Sequence, residues 1–568
     1  MTSLRRRAVL SILSLVTGGA LAACDTGSDA RGGLHVSTAA LAPCVANENG
    51  DFRFPSNADR VVVRATGGHI PDESPVVGVF ASDGAGGPEQ AVLEDVPAGE
   101  DVLIEVVACK GAAPTWGGMT RGVEVLAANE NSAAVFLTPV DAAACVGGKD
   151  VPADDQRMRS GHAFAATATI GESSYVLGGF GAYNLASLEL RATANVDQYM
   201  RPQSRFTPLG KLLQARAMAT AQHMSDGTLR IIGGVKAVSL IITGDRPPIF
   251  PSPDSAPSTG IEIYDPRTGQ AFAGPDTTLP ALPALASLPD GSVLAVGGIE
   301  GSATWSTNVS VFGASGSIQT FALPAGRYGA LVLPTDDGHA LVYGGTETGD
   351  QAGVAAWLDV GASKASALSG AAAGGVPFMA GGQFLGKDAA GWRFLVIGGS
   401  DVMNGAGGTE FSTGAATPRA LEVTVAPAGD TVSVRDLLAG SSLEPALFRR
   451  LAPSVADLGG DGILLRGGLT SLTSDAACPG QKDCLPQSVV RLSRVAAGGT
   501  LSLLGAVQTS SVAPFGSRAL ELADGSWLLA GGVSTLATDV DAIGTGAGLL
   551  RFSVDDPGMC ALTESSSP

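Results

Sequence analysis

The amino-acid sequence predicts an all-β protein in two parts, a short strand-rich module followed by a longer array of seven repeats. Three observations point there. An Asp-Gly turn, a short apolar strand and a glycine pair recur together as SDGTLRIIGG, DGSVLAVGG, DDGHALVYGG, GDGILLRGG and ADGSWLLAGG. Glycine supplies 78 of the 568 residues without a three-residue period, as many tight turns would require. Hydrophobic residues reach 45% against 16% charged, enough to bury a large core, while helical periodicity is sparse.

Residues 1–23 read as an export leader. Arg5, Arg6 and Arg7 form a basic head, and AVLSILSLV (8–16) is an apolar run too short to stay as a membrane span. LAAC (21–24) then resembles the lipobox of bacterial lipoproteins. The resemblance implies cleavage before Cys24, a lipid on its sulfur and an acylated new amine, which together hold a protein on a membrane surface. Residues 24–35, carrying DTGSDARGGL, read as a tether.

Residues 36–145 hold about seven apolar runs with strand alternation, among them DRVVVRAT, VVGVFAS, DVLIEVVAC and SAAVFLTP. They predict a small β-sandwich. DVPAGEDVLIEVVAC resembles the turn-then-strand phrase of transthyretin-like and fibronectin-like modules, which implies a spacer or adhesion role.

Residues 150–561 carry the repeats. Glycine pairs stand at 178, 233, 297, 344, 398, 467 and 531, a mean spacing of about 59. Asp226, Asp290, Asp337, Asp461 and Asp524 begin the Asp-Gly turns, where glycine takes positive φ without penalty. One apolar run precedes each turn and another, such as TGIEIYDP or NVSVFGA, follows the glycine pair; several units have a fourth. Four short strands per repeat are the pattern of a β-propeller. The phrase, with GIEIYDPRTGQAF (260–272) as its fullest copy, resembles the kelch repeat, and implies a seven-bladed kelch-like propeller. The usual fourth-strand tryptophan is missing, and Tyr264 alone keeps the tyrosine clearly. Residues 562–568 read as a disordered tail.

Apart from Cys24 the cysteines are six: Cys44, Cys109, Cys145, Cys478, Cys484 and Cys560. No CxxC spacing or nearby histidine suggests zinc, so disulfides are expected, as an oxidising compartment would allow. Cys478 and Cys484 would staple one loop. Cys44 with Cys109, and Cys145 with Cys560, are the other expected pairs, although six cysteines permit fifteen connectivities.

Charge and motifs narrow the function. The net charge is −19, or −22 once the three leader arginines are removed, which argues against nucleic acid as a partner. Copper-radical oxidases related to galactose oxidase share the propeller, yet His35, His69, His162, His223 and His339 stand in no matching arrangement with tyrosine and cysteine. No phosphate loop, HExxH or GxSxG motif occurs, and Asp539 and Asp541 lack the later ligands of a calcium loop. No catalytic residue, metal or cofactor is therefore assigned.

What remains is the rim of connections that begin at the glycine pairs, several of them long (235–260, 400–419 and 469–488), and on this rim Arg246, Phe250, Trp305 and Phe411 are candidate ligand anchors. The alternative for these side chains is packing against neighbouring loops. The expected function is a lipid-anchored cell-envelope scaffold, on the outer membrane or cell surface, that binds a protein or glycan without catalysis. A carbohydrate-active or isomerase-like enzyme using the central pocket, and a purely structural envelope component, are the alternatives.

Overall fold

Seven strands open the chain's described part: β1 (Arg31–Ala40), β2 (Arg60–Gly67), β3 (Val76–Ala81), β4 (Gln90–Pro97), β5 (Gly99–Lys110), β6 (Ala113–Val125) and β7 (Glu130–Pro139). The computed structural model describes residues 30–40, 58–71, 73–81, 90–146, 153–240, 250–251, 260–300, 304–347, 355–370, 377–405, 408–411, 416–470, 488–508, 515–534, 542–552, 554 and 557–562. Throughout these the protein is all-β, with short 3-10 turns as the helical elements.

Period-2 alternation explains the first module. In β2, Val61, Val63 and Ala65 point into one core with Ile104, Val106 and Val135, while Val62 points the other way. The strand order is β3-β2-β5-β6-β7-β1-β4 in a single sheet, and its two edge strands β3 and β4 lie against each other, so it nearly closes. The expected sandwich needs two separate sheets. Here β1 runs parallel to β7 and antiparallel to β4, and so carries one continuous ladder across the module.

Downstream come seven four-stranded antiparallel sheets, at 166–211, 220–273, 284–322, 331–367, 381–436, 454–508 and 518–551, called units one to seven. This arrangement is compatible with a β-propeller. Within a unit the Asp-Gly turn works through its side chain as well as its glycine. Asp290 accepts a hydrogen bond from the Ser292 N–H at 2.8 Å, as Asp226 does from Thr228 at 2.9 Å and Asp524 from Ser526 at 3.0 Å. The apolar strand that follows, Val293–Val296 in unit three, is wholly buried.

The glycine pair joins one unit to the next. Gly297 and Gly298 have φ of 64° and 107°, a region that side chains disfavour. The Gly298 N–H donates to the Arg327 carbonyl at the approach to unit four (2.8 Å), and a Cβ on Gly297 would run into that same oxygen. The joint recurs from Gly179 to Arg216 (2.7 Å), Gly345 to Pro377 (2.8 Å) and Gly399 to Arg450 (2.7 Å). From Gly532 it reaches His162 at 3.0 Å and so joins unit seven to unit one. The sheets form a closed circle.

The outermost strand of unit seven comes from elsewhere. β8 (Ala142–Cys145), just after the first module, pairs with Ala547–Arg551 and completes that sheet. Close by, buried Asp524 forms ion pairs with Arg201 and with Arg551, the latter at 3.4 Å, while Arg201 also donates to the Phe136 carbonyl of β7 at 3.0 Å. One carboxylate therefore ties units one and seven to the first module. Val62, Val107 and Cys109 of that module pack on Val554, Met559 and Cys560.

That packing decides the cysteine pairing. Cys109 is bonded to Cys560, with Cα atoms 5.6 Å apart, and not to Cys44 as expected, because the end of β5 lies against the turn Pro557–Ala561. Cys145 is consequently not the partner of Cys560. It too is in a disulfide, whose other half lies outside the described residues. Cys24, Cys44, Cys478 and Cys484 also lie outside them.

Two expected outcomes follow from the joint and the clasp. In urea unfolding, Gly291→Ala, where a Cβ meets only the Ala314 methyl at 3.8 Å, should cost the left-handed strain of about 1–2 kcal/mol. Gly297→Ala should cost about 1–3 kcal/mol more, because a backbone carbonyl must move. Burial pushes the Asp524 carboxyl up, but the neighbouring Arg201 and Arg551 guanidiniums outweigh it and hold it at about 2. Its folded value lies below the ordinary carboxylate value of about 4, so its stabilisation is complete above that pH and is lost as pH falls toward 2. Asp524→Asn should flatten that part of the urea-midpoint-versus-pH curve and cost about 3–5 kcal/mol at neutral pH.

Candidate functional site

Each unit enters its innermost strand through one residue held at positive φ: Phe164, Met218, Leu282, Gly329, Met379, Ala452 and Gly516. Left-handed backbone is costly for the five that are not glycine, and the circle compensates with hydrogen bonds. The Met218 N–H donates to the Phe164 carbonyl at 2.8 Å, Met379 to Gly329 at 2.8 Å, Ala452 to Met379 at 2.7 Å, and Phe164 to Gly516 at 2.6 Å. Backbone bonds thus run along four of the seven steps of this inner belt.

On one side of the belt the axis is filled. Phe164 stands edge-on to Phe515 (ring centroids 4.9 Å apart), and Tyr328 to Phe378 (5.4 Å), within a buried apolar cluster that includes Phe180, Val238 and Leu469. On the other side lies a cavity of about 450 Å³, walled mainly by Ala, Leu, Val, Pro and Met. Its polar lining among the described residues is Thr167, Thr220, Ser454 and Arg518, together with the Tyr328 ring, whose hydroxyl is held un-ionised by burial. Arg518 is the charged member. Its Nε donates to the Ala165 carbonyl at 2.8 Å, and burial lowers its pKa.

Buried polar side chains behind the belt are committed to the scaffold. The first carbonyl of a glycine pair accepts a hydrogen bond from Arg216 in unit two (3.0 Å), Arg327 in unit four (2.9 Å), Arg419 in unit five (2.8 Å) and Arg450 in unit six (2.9 Å). His162 takes this place in unit one, bonded to the Gly178 carbonyl and, at 2.8 Å, to Asp197. An unpartnered carbonyl at these depths would be costly. His162 is structural in this setting.

A second cavity, of about 190 Å³, lies between units four and five beside His339, Trp357 and Trp392. Its groups are matched among themselves. His339 stacks on Trp357 at 5.3 Å, Lys387 sits 4.0 Å over the Trp392 ring, and Asp337 accepts from Thr335, His339, Lys387 and Trp392. Burial pushes the Asp337 carboxyl up, but these donors outweigh it and hold it well below the usual range.

Of the four anchors the sequence suggests, Trp305 is the one whose side-chain setting the structure describes. Trp305 stacks on Tyr328 with centroids 5.5 Å apart and packs on the apolar cluster, so it takes the packing alternative. Phe250 and Phe411 belong to the strands Phe250–Pro251 and Gly408–Phe411 of the outer connections, and Arg246 lies outside the described residues. Sequence reading passed over Arg518. Two places after the positive-φ residue the seven units carry Ala166, Thr220, Ala284, Leu331, Gly381, Ser454 and Arg518, so aligning the repeats would have exposed the one cation.

No family model matches the chain, and no curated protein matches it. Among solved structures, one titled "Structure of YjhT" is similar at 12% identity with a TM-score of 0.39, over 61% of this chain and 99% of that one.

Because Trp305 packs inward, Trp305→Ala should lower the free energy of urea unfolding by about 2 kcal/mol, roughly half the cost at a fully buried tryptophan. An unchanged urea midpoint would return Trp305 to the list of ligand anchors.

Proposed function

We propose that the protein is a cell-envelope lipoprotein, held on the outer membrane or cell surface by a lipid on Cys24. In this reading its ring of sheets is a seven-bladed kelch-like propeller that binds a protein or glycan without catalysis. The observation that carries the binding role is the rim formed by connections between second and third strands. Phe180–Asn184 and Glu189–Ala192 from unit one pair with Ala237–Ser239 and Phe250–Pro251 from unit two, in a sheet of their own. Leu185 and Leu188 stand exposed in the turn of that rim sheet. Exposed leucines on a built, non-repeating surface favour an interaction face. Binding is favoured over turnover because the axial cavity offers no carboxylate or imidazole among its described lining residues to move a proton.

The two halves of the reading have separate tests. Cys24→Ala should transfer the protein from the membrane to the soluble fraction, and unchanged fractionation would overturn the anchor. For the rim, a glycan array and cross-linking in envelope extract should give one reproducible partner. Its capture should fall about tenfold when Leu185 and Leu188 are both replaced by Asp, as expected for loss of interface anchors. Capture indifferent to that change would refute the rim assignment.

A further inference from the structure

We propose that the axial cavity is a binding site for a small organic carboxylate with an apolar body, its carboxylate received by Arg518. This goes beyond the rim reading, from which the buried aromatic cluster separates it.

Arg518 stands at the start of the innermost strand Arg518–Glu521, in the seam between units seven and one. The bond to Ala165 uses its Nε–H and fixes the plane of the guanidinium, leaving four of its five N–H donors. Among the described residues no charged neighbour offsets the burial that lowers its pKa, so within them the cation is partly stripped of water without a counter-ion. Such a group gains most from a bidentate anion.

Room for that anion is built in. At the same level of the circle the six other units present Ala166, Thr220, Ala284, Leu331, Gly381 and Ser454, mostly small side chains. The Thr220 and Ser454 hydroxyls line the same cavity and are half-buried, which makes them suitable donors to the outer lone pairs of a carboxylate. Beyond them the wall is apolar, with Met218, Leu285, Leu331 and Val455. A volume of 450 Å³ falls within the ordinary range for small-molecule sites. One guanidinium at one side of an apolar chamber matches a ligand with one charge and an apolar remainder. An inorganic anion would leave the wall uncovered, and a neutral hydrocarbon would leave the guanidinium without its counter-charge.

The experiment titrates the full chain with benzoate, benzyl alcohol and inorganic phosphate by calorimetry. Benzoate should bind measurably, and the two comparators about tenfold or more weakly, since each lacks one half of the match. Arg518→Met should weaken benzoate by about tenfold or more, and Arg518→Lys by less, because lysine keeps the charge but not the planar fork. Ala284→Phe fills the chamber without touching Arg518 and should also block benzoate, which keeps the test sound if Arg518→Met disturbs folding. Failure of benzoate to bind, binding unchanged in Arg518→Met or in Ala284→Phe, or phosphate binding as tightly as benzoate would each overturn the proposal. None of these results bears on capture at the rim.

Discussion

At five of its seams the circle of sheets depends on a single kind of contact, in which a backbone carbonyl of one unit occupies the space where the preceding unit would otherwise carry a side chain. At Gly297 that oxygen belongs to Arg327, and at Gly531 to His162. A Cβ there would displace backbone, not a flexible side chain. Satisfaction of the hydrogen bonds completes the joint. The second glycine donates its N–H across the seam, and a buried Arg or His reaches back to the carbonyl of the first. Backbone can come this close in a dry interior only when its polar atoms are paired.

Crowding at the joints shapes the axis. The approach residues are bent into left-handed backbone, the inner belt of hydrogen bonds forms, and aromatic side chains displaced outward from the belt meet and fill one end. Small residues on the innermost strands then leave a chamber on the other side. The same geometry frees the connections that start after the glycine pair, since they leave the crowded axis and pair with one another, as in the rim sheet of units one and two. Repeated residues therefore build the scaffold, and the non-repeating ones carry the candidate sites.

The first module is part of this closure. β8 completes unit seven, Asp524 draws Arg201 and Arg551 together beside Phe136, and Cys109 is bonded to Cys560. The strand pairing, the Arg201–Asp524 pair and the disulfide each span hundreds of residues in sequence. The buried ion pairs are costly to desolvate and demand good geometry, which makes them sensitive to the loss of any one partner.

Much of the architecture was legible because its signals are local. The Asp-Gly turn at Asp290 needs only its own side chain and a glycine, the strand after it needs only four apolar residues, and NVSVFGA contains the strand Asn308–Phe312. The sites were less legible. Arg518 resembles any other surface arginine until the circle places it beside a chamber, and Trp305 resembles a ligand anchor until Tyr328 is seen beneath it. His162, conspicuous as one of five histidines, turned out to hold the Gly178 carbonyl. By itself, then, the sequence determined the all-β class, the turns, the repeated strands and the glycine pairs, because backbone conformation and period-2 burial are set by neighbours a few residues away. Tertiary structure alone decided the single seven-stranded sheet of the first module, the Cys109–Cys560 bond and the setting of Arg518. Those depend on which distant segments share a seam, and only closure of the circle brings them together.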